Sequence, residues 1–390
     1  MAQSVIIIGA GPSGLSAACA LANKGIATTV IDSQSHDELA DPKIDGRDIA
    51  MTHMSKSILT SWGVWPRFDP SEVFDLTNAK VQTQDFDRVL QFNHTKNPSR
   101  PLGFLVSNHH IRKALFDQAC ETDNIQFCLG SKVRHVRSSI EYAEVTLECG
   151  KKLTAQLLVA ADSRFSLARK MMGIGASMTD YGRVMLVCKM RHTKSHKNTA
   201  RESFLYGLTC ATLPLEEKTS SVIVTVPEGL SQQLKELSDK KFNLKMTDIF
   251  KDHLGTMTLT GERFTYPLIG VYSDRFIGQR FALVGDAAVG MHPVTAHGYN
   301  LAVRSVDTLA TCVKSSSSKS GDIGAKQGLQ YYELRHQVLA KPLFNGTNAV
   351  VSLFTNDHPI AKVARKAAII AGDYLPGFKR HIEYRLTQTR

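Results

Sequence analysis

Tryptophan occurs only twice in this chain of 390 residues, at Trp62 and Trp65, and aromatic residues together make up 7% of it. Cysteine is sparse as well. The seven cysteines are scattered and never form a C-x-x-C pair, so neither a disulfide framework nor a zinc cage is expected. No apolar run reaches the ~18 residues that a spanning helix needs. The N-terminus lacks the basic stretch of a signal peptide and enters an apolar strand at once, which makes the cytoplasm the expected location. Acidic residues are in deficit, 36 against 47 Lys and Arg, for a net charge of +11. With few aromatics and no recognised motif beside it, this charge argues against nucleic acid. An anionic cofactor or an anionic membrane surface accounts for it, and a merely solvated basic surface is the alternative. At this length one core stops growing, so about two domains are expected.

What the chain does contain is concentrated where three strands end. Val5 to Ile8 form an uncharged β-branched run, the pattern of a strand buried on both faces. Gly9, Gly11 and Gly14 follow at the G-x-G-x-x-G spacing: a tight turn, a close approach of backbone to a pyrophosphate, and a close packing of helix on strand. A helix from Pro12 to Asn23 would aim its positive end at that phosphate. A second strand, Ala27 to Ile31, delivers Asp32 to the place where an acid accepts ribose hydroxyls. Leu157 to Ala160 form another fully apolar strand and end at Asp162, with Ser166 and Arg169 fitting a helix start nearby. The third strand, Arg280 to Val284, runs into Gly285 and Asp286, then a bend holding His292, Pro293 and His297, then Gly298, Asn300 and a helix through Leu309. Amides at such a helix start stabilise an anionic ring.

Between these landmarks the chain reads in pieces. Asp37 to Asp48 is a polar loop carrying Arg47; Ser55 to Trp62 is a helix stopped by Gly63. Val73 to Arg100 looks like an insertion. Ile111 to Cys120 is a helix with Asn108 as its expected cap, and strands are expected at 125–129 and 143–147. Residues 181–266 change character, with strands at 184–190, 203–208 and 221–226 and helices at 230–237 and 245–254, so a second domain built on an antiparallel sheet is expected. Ser315 to Gly321 is expected as a surface loop. Beyond Asn345 lie helical stretches at 349–355 and 360–371. After His358 seven basic residues face only Asp373 and Glu383, which suits either a lipid surface or a solvated helix face. His292 and His297 flank a proline without an H-E-x-x-H pattern, so no metal site is expected.

Together these segments resemble the group A flavoprotein aromatic monooxygenases, the p-hydroxybenzoate hydroxylase-like class. Gly9 to Asp32 resembles the FAD fingerprint, Asp162 the DG motif with Ser163 in place of its glycine, and Gly285-Asp286 the GD motif. Gly-Asp-Ala-Ala-x-x-x-His-Pro at 285–293 resembles the ubiquinone-biosynthesis hydroxylases, and Val294-Thr295-Ala296-His297-Gly298 their UbiM-like branch. The resemblance implies an α/β fold: a Rossmann-like FAD-binding domain of the GR2 type from 1–75, 101–175 and 275–330, an antiparallel-sheet substrate domain from 76–100 and 176–274, and a C-terminal helical segment, 331–390.

It further implies that Gly9, Gly11, Gly14, Asp32, Arg47, Arg112, Asp162, Gly285, Asp286, Gly298 and Asn300 serve FAD, and that Pro293 and His297 serve catalysis. NAD(P)H would reduce the flavin, and a flavin C4a-hydroperoxide would hydroxylate the ring of a polyprenylated phenol or quinol in ubiquinone biosynthesis. Gly173-x-Gly175 lacks a third glycine, so NAD(P)H is expected to bind transiently without a fingerprint of its own. Peripheral contact with the inner face of the membrane and with other proteins of the pathway is an open expectation. The rival readings are a prenyl reductase, a halogenase and a non-catalytic flavin scaffold; the halogenase would need a W-x-W-x-I-P segment that the two tryptophans do not form.

Overall fold

A computed structural model describes residues 4–84, 86–93, 100–205, 207–250 and 253–355, with the single positions 358, 363 and 365. The helix expected at 360–371 and most of the basic tail lie outside the described residues.

Ser4–Ile8 runs in the middle of a six-stranded sheet, parallel to Ala27–Ile31 on one side and to Leu157–Ala160 on the other. Ile125–Cys128 extends the sheet at one edge and Phe281–Leu283 at the other, both parallel, and Ile277–Gly278 closes the latter edge antiparallel. Val5 to Ile8 and Leu157 to Ala160 are all buried, which is why both read as unbroken apolar runs. The fingerprint helix Pro12–Ala22 packs on this sheet, and Gly298–Ser320 packs on that helix. Lys326–Thr355 then lies along Gly298–Ser320.

The other large sheet has eight strands and draws on three stretches of chain, 78–93, 176–273 and 289–290. Two 17-residue strands, Ala176–His192 and Met257–Ser273, pair antiparallel as its backbone. They are far longer than the strand expected at 184–190, because their pairing continues beyond it, from Ala176 opposite Ser273 to His192 opposite Met257. Helices Glu228–Glu236 and Asp239–Ile249 cover one face with a second apolar core around Phe242, Met246 and Val224. Small three-stranded sheets, 48–51/103–107/73–76 and 133–138/143–147/152–155, complete the described fold.

Two local expectations are corrected. The cap of helix Asn108–Cys120 is Ser107, whose Oγ accepts from the His110 amide at 3.2 Å; Asn108 is already helical, and its Nδ2 donates to Asp45 at 2.7 Å. Ser315 to Ser320 is helix rather than loop, because the Ser318 and Ser320 hydroxyls donate to carbonyls one turn back, at 3.1 and 3.0 Å. The helix stops at Gly321, φ 68°.

Candidate functional site

All three strand ends named above emerge on one side of the parallel sheet. Gly9 has φ 102°, and a Cβ there would sit 2.6 Å from the Ala161 carbonyl and 3.3 Å from Asp162 Cα. The fingerprint turn therefore rests directly on the end of the Leu157–Ala160 strand. Gly285 makes the matching contact on the other flank: its Cβ would lie 2.1 Å from Ser13 Oγ at the start of the fingerprint helix. Gly14 sits against the Gly9 carbonyl, 1.8 Å from a would-be Cβ, whereas a Cβ on Gly11 would meet nothing within 4 Å. Of the three fingerprint glycines, only Gly11 faces open space, as a pyrophosphate cradle requires.

Asp32 is held ready by backbone amides, Oδ2 accepting from Ala10 N at 2.6 Å and Oδ1 from Gln34 N at 2.8 Å. Asp162 is spent more locally: Oδ1 accepts from Ser166 Oγ at 2.6 Å and Oδ2 from Ala168 N at 3.0 Å, fixing the start of helix Leu167–Met171. Ser163 keeps the conformation that the motif's glycine would take, φ 88°. Next to it, Arg164 donates to Asp286 Oδ2 at 2.8 Å, tying the end of Leu157–Ala160 to the turn after Phe281–Leu283. The buried Arg169 guanidinium adds bonds to the carbonyls of Ala287, 2.9 Å, and Arg164, 3.2 Å.

Arg47 lies in its loop beside Asp45, Nη2 to Oδ2 2.6 Å, with its guanidinium 5.2 Å from the Tyr266 ring centroid. Burial works against both charges, and the bonds and attraction between the two outweigh it, so Asp45 titrates below the usual carboxylate range and Arg47 above its ordinary value. The charge of Asp286 adds to the upward shift of Arg47. Arg112 stands one turn after Asn108 on the same helix, half-buried and without a hydrogen bond among the described residues. Asn300 is a clamp. Its Oδ1 accepts from Thr52 N (3.0 Å) and Ser55 Oγ (2.7 Å), and its Nδ2 donates to Ala50 O (2.7 Å) and Ala296 O (2.9 Å). Only its backbone amide, with those of Gly298 and Tyr299, is left to face a ligand.

The FAD binding domain family model matches residues 2–342. The chain is 41% identical over 389 residues to the ubiquinone hydroxylase UbiM of Neisseria meningitidis, covering 99% of this chain and 84% of that one. It is 31% identical over 376 residues to the ubiquinone hydroxylase UbiL of Rhodospirillum rubrum, covering 96% and 87%. The chain belongs to the ubiquinone hydroxylase family of FAD-binding monooxygenases. Its fold is that of the p-nitrophenol 4-monooxygenase PnpA from Pseudomonas putida, with a TM-score of 0.77, 16% identity and 98% of both chains covered.

FAD fits the residues present in this flavoprotein. Helices Pro12–Ala22 and Gly298–Ser320 both begin without a side-chain cap and without an acid in the first turn, leaving amides and a positive end for an anionic ligand. A hydrogen bond between Ser16 Oγ and Tyr299 OH, 3.1 Å, holds the two helix starts side by side.

The flavoprotein also has a cavity of about 300 Å³ between the eight-stranded sheet, the His292–Val294 turn and the last turns of Lys326–Thr355. Its lining includes the polar side chains of Tyr181, Arg183, His292 and Asn348 and the apolar ones of Phe204, Leu208 and Val351. His292 is buried, and burial pushes its imidazole down to about 4. Pro293 is exposed and opens a 3₁₀ turn; His297, half-buried, follows a left-handed Ala296, φ 51°, at the start of helix Gly298–Ser320. Sequence reasoning missed Asp45, Arg164, Tyr181, Tyr266 and Asn348. Arg164, two residues past a motif acid, and Asp45, two residues before Arg47, carried a local signal; the others become neighbours of the site only through tertiary pairing.

Proposed function

We propose that this flavoprotein uses NAD(P)H and O2 to hydroxylate the ring of a polyprenylated phenol or quinol in ubiquinone biosynthesis, the process for which its relatives are named. The observation that carries the reading is the meeting of strand ends around an open glycine cradle, together with a cavity of polar and apolar lining that includes His292 and Val294, shortly after the GD turn. Bound FAD supplies the redox chemistry, passing electrons from NAD(P)H to O2 so that one oxygen atom enters the ring and the other leaves as water.

The chain's own residues do the holding. The fingerprint amides with Gly11 take the pyrophosphate, Asp32 the ribose, and Arg47 and Arg112 offset the cofactor's charge. Asp162 and Asp286 hold their strand ends against it, and the open start of Gly298–Ser320 stabilises negative charge on the ring system. Pro293 shapes the floor below the reacting ring, and His297 accepts the proton of the substrate hydroxyl at a ring nitrogen. A substrate dissolved in lipid also brings the protein to the membrane surface and to other proteins of the pathway. In this reading the contact is peripheral; among the described residues no helix is long and apolar enough to cross a membrane.

The test is turnover by the purified yellow protein. A short-tailed prenylphenol should accelerate NAD(P)H oxidation and gain one oxygen by mass, and His297→Gln should lower product while FAD stays bound. A protein that neither binds FAD nor yields that product would refute the reading.

A further inference from the structure

The His292 imidazole is fixed on two sides and free on a third. Its Nδ1 accepts from the Val294 amide at 3.2 Å, capping the Pro293–Thr295 turn. That bond settles the tautomer, because a neutral ring whose Nδ1 is an acceptor carries its proton on Nε2. Burial keeps the ring neutral through the physiological range. The ring plane is set as well. Tyr181 meets it edge to face at 4.8 Å and 88°, and the Tyr181 hydroxyl donates to Asn348 Oδ1 on helix Lys326–Thr355 at 2.5 Å. Gly270 on the neighbouring strand leaves room for that hydroxyl, since a Cβ there would lie 2.7 Å from it. His292 lines the cavity, and its Nε2–H has no partner among the described residues.

An oriented donor without a partner, in the wall of a mostly apolar pocket, is the arrangement by which such pockets fix a ligand's polar atom. We propose that His292 donates through Nε2–H to the ring oxygen of the substrate, with Tyr181 and Asn348 as the positioning residues that hold its imidazole. The inference rests on the functional reading above and deepens it by naming the group that orients the ring. From His292 the cavity continues to Phe204, Leu208 and Val351, an apolar wall suited to the first isoprenoid unit. The tail then leads away from the Pro293–His297 segment, and the ring faces it.

The holoenzyme tests this by direct binding, read as a perturbation of the flavin absorbance by 2-geranylphenol and by geranylbenzene, which lacks the ring oxygen. Wild-type protein should prefer the phenol by about tenfold, the size of one hydrogen bond to a buried site. His292→Asn keeps an acceptor at the Nδ1 position and deletes the distal donor; it should lose the preference and bind geranylbenzene as before. His292→Gln places an amide N–H near the Nε2 position and should restore part of the preference.

An unchanged preference in His292→Asn would overturn the proposal, as would equal weakening of both compounds, which marks a purely structural role. Should the wild-type holoenzyme bind neither compound, the functional reading itself fails and takes this one with it.

Discussion

Glycines nine, eleven and fourteen share a motif but differ in what a methyl group on each would meet. At Gly9 it would enter the Ala161 carbonyl from a left-handed backbone, and at Gly14 the Gly9 carbonyl; at Gly11 it would meet no protein atom. Gly11→Ala is therefore expected to change stability by no more than about 0.5 kcal/mol while weakening FAD binding at least about tenfold. Gly9→Ala should cost about 2 kcal/mol or more. Melting curves paired with FAD titrations separate the two, and a Gly11→Ala protein that binds FAD normally would remove the cradle from the argument.

His336 is a second residue whose chemistry is set by its surroundings. It is buried against Phe276 and Tyr332, neither ring nitrogen has a hydrogen bond, and burial pushes its pKa down to about 3. Between pH 6.5 and 3 the unfolded chain binds a proton there that the folded chain refuses, so stability falls as the pH falls. At pH 5 the loss is about 2 kcal/mol, and His292 adds to it with the same sign. His336→Phe should flatten the stability profile between pH 7 and 5 in denaturant titrations; an unaltered slope would mean that the buried ring is not what senses acid.

At the scale of elements, Lys326–Thr355 has two faces with different work. One face buries Leu329, Tyr332, Ala340 and Phe344 and carries Asn348 into the cavity wall. The other exposes Tyr331, Leu334 and Val338, at 52, 59 and 64%, an apolar stripe at helical spacing. Beside Arg335 and Lys341 such a stripe suits an anionic lipid surface. Leu334→Asp with Val338→Asp should reduce flotation with anionic liposomes at least about tenfold and leave FAD content unchanged; undiminished flotation would show that this stripe does not bind lipid. The sequence read the end of this helix only near 349–355. Pro342 within it and the polar members of its buried face, His336 and Thr347, hid the rest, and its course is fixed by packing on Gly298–Ser320. The serine-rich stretch was misread for a related reason: serine favours loops unless its hydroxyl can bond one turn back, and here it does.

For the whole molecule, the segments proposed to hold the cofactor lie as far apart in the chain as Gly9 and Asn300, joined across it by contacts such as Gly9 with Ala161, Gly285 with Ser13 and Arg164 with Asp286. A ligand that touches all of them stabilises the folded state by mass action. Free FAD at 100 times its Kd should add about 2.7 kcal/mol to the unfolding free energy, visible as a rise in melting temperature when the stripped protein is reloaded. A melting temperature indifferent to FAD would show that the cofactor does not bridge these segments.

The buried parallel strands, the glycine spacing and the acids at the strand ends were legible from sequence because each is a local pattern: an apolar run, a turn that admits no side chain, a helix start left open. The Tyr266 ring beside Arg47, the clamp made by Asn300, the Arg164 bridge and the Tyr181–His292–Asn348 contacts depended on the tertiary structure. Each joins residues far apart in the chain, and no local periodicity encodes which distant side chain a folded sheet will bring within hydrogen-bond distance.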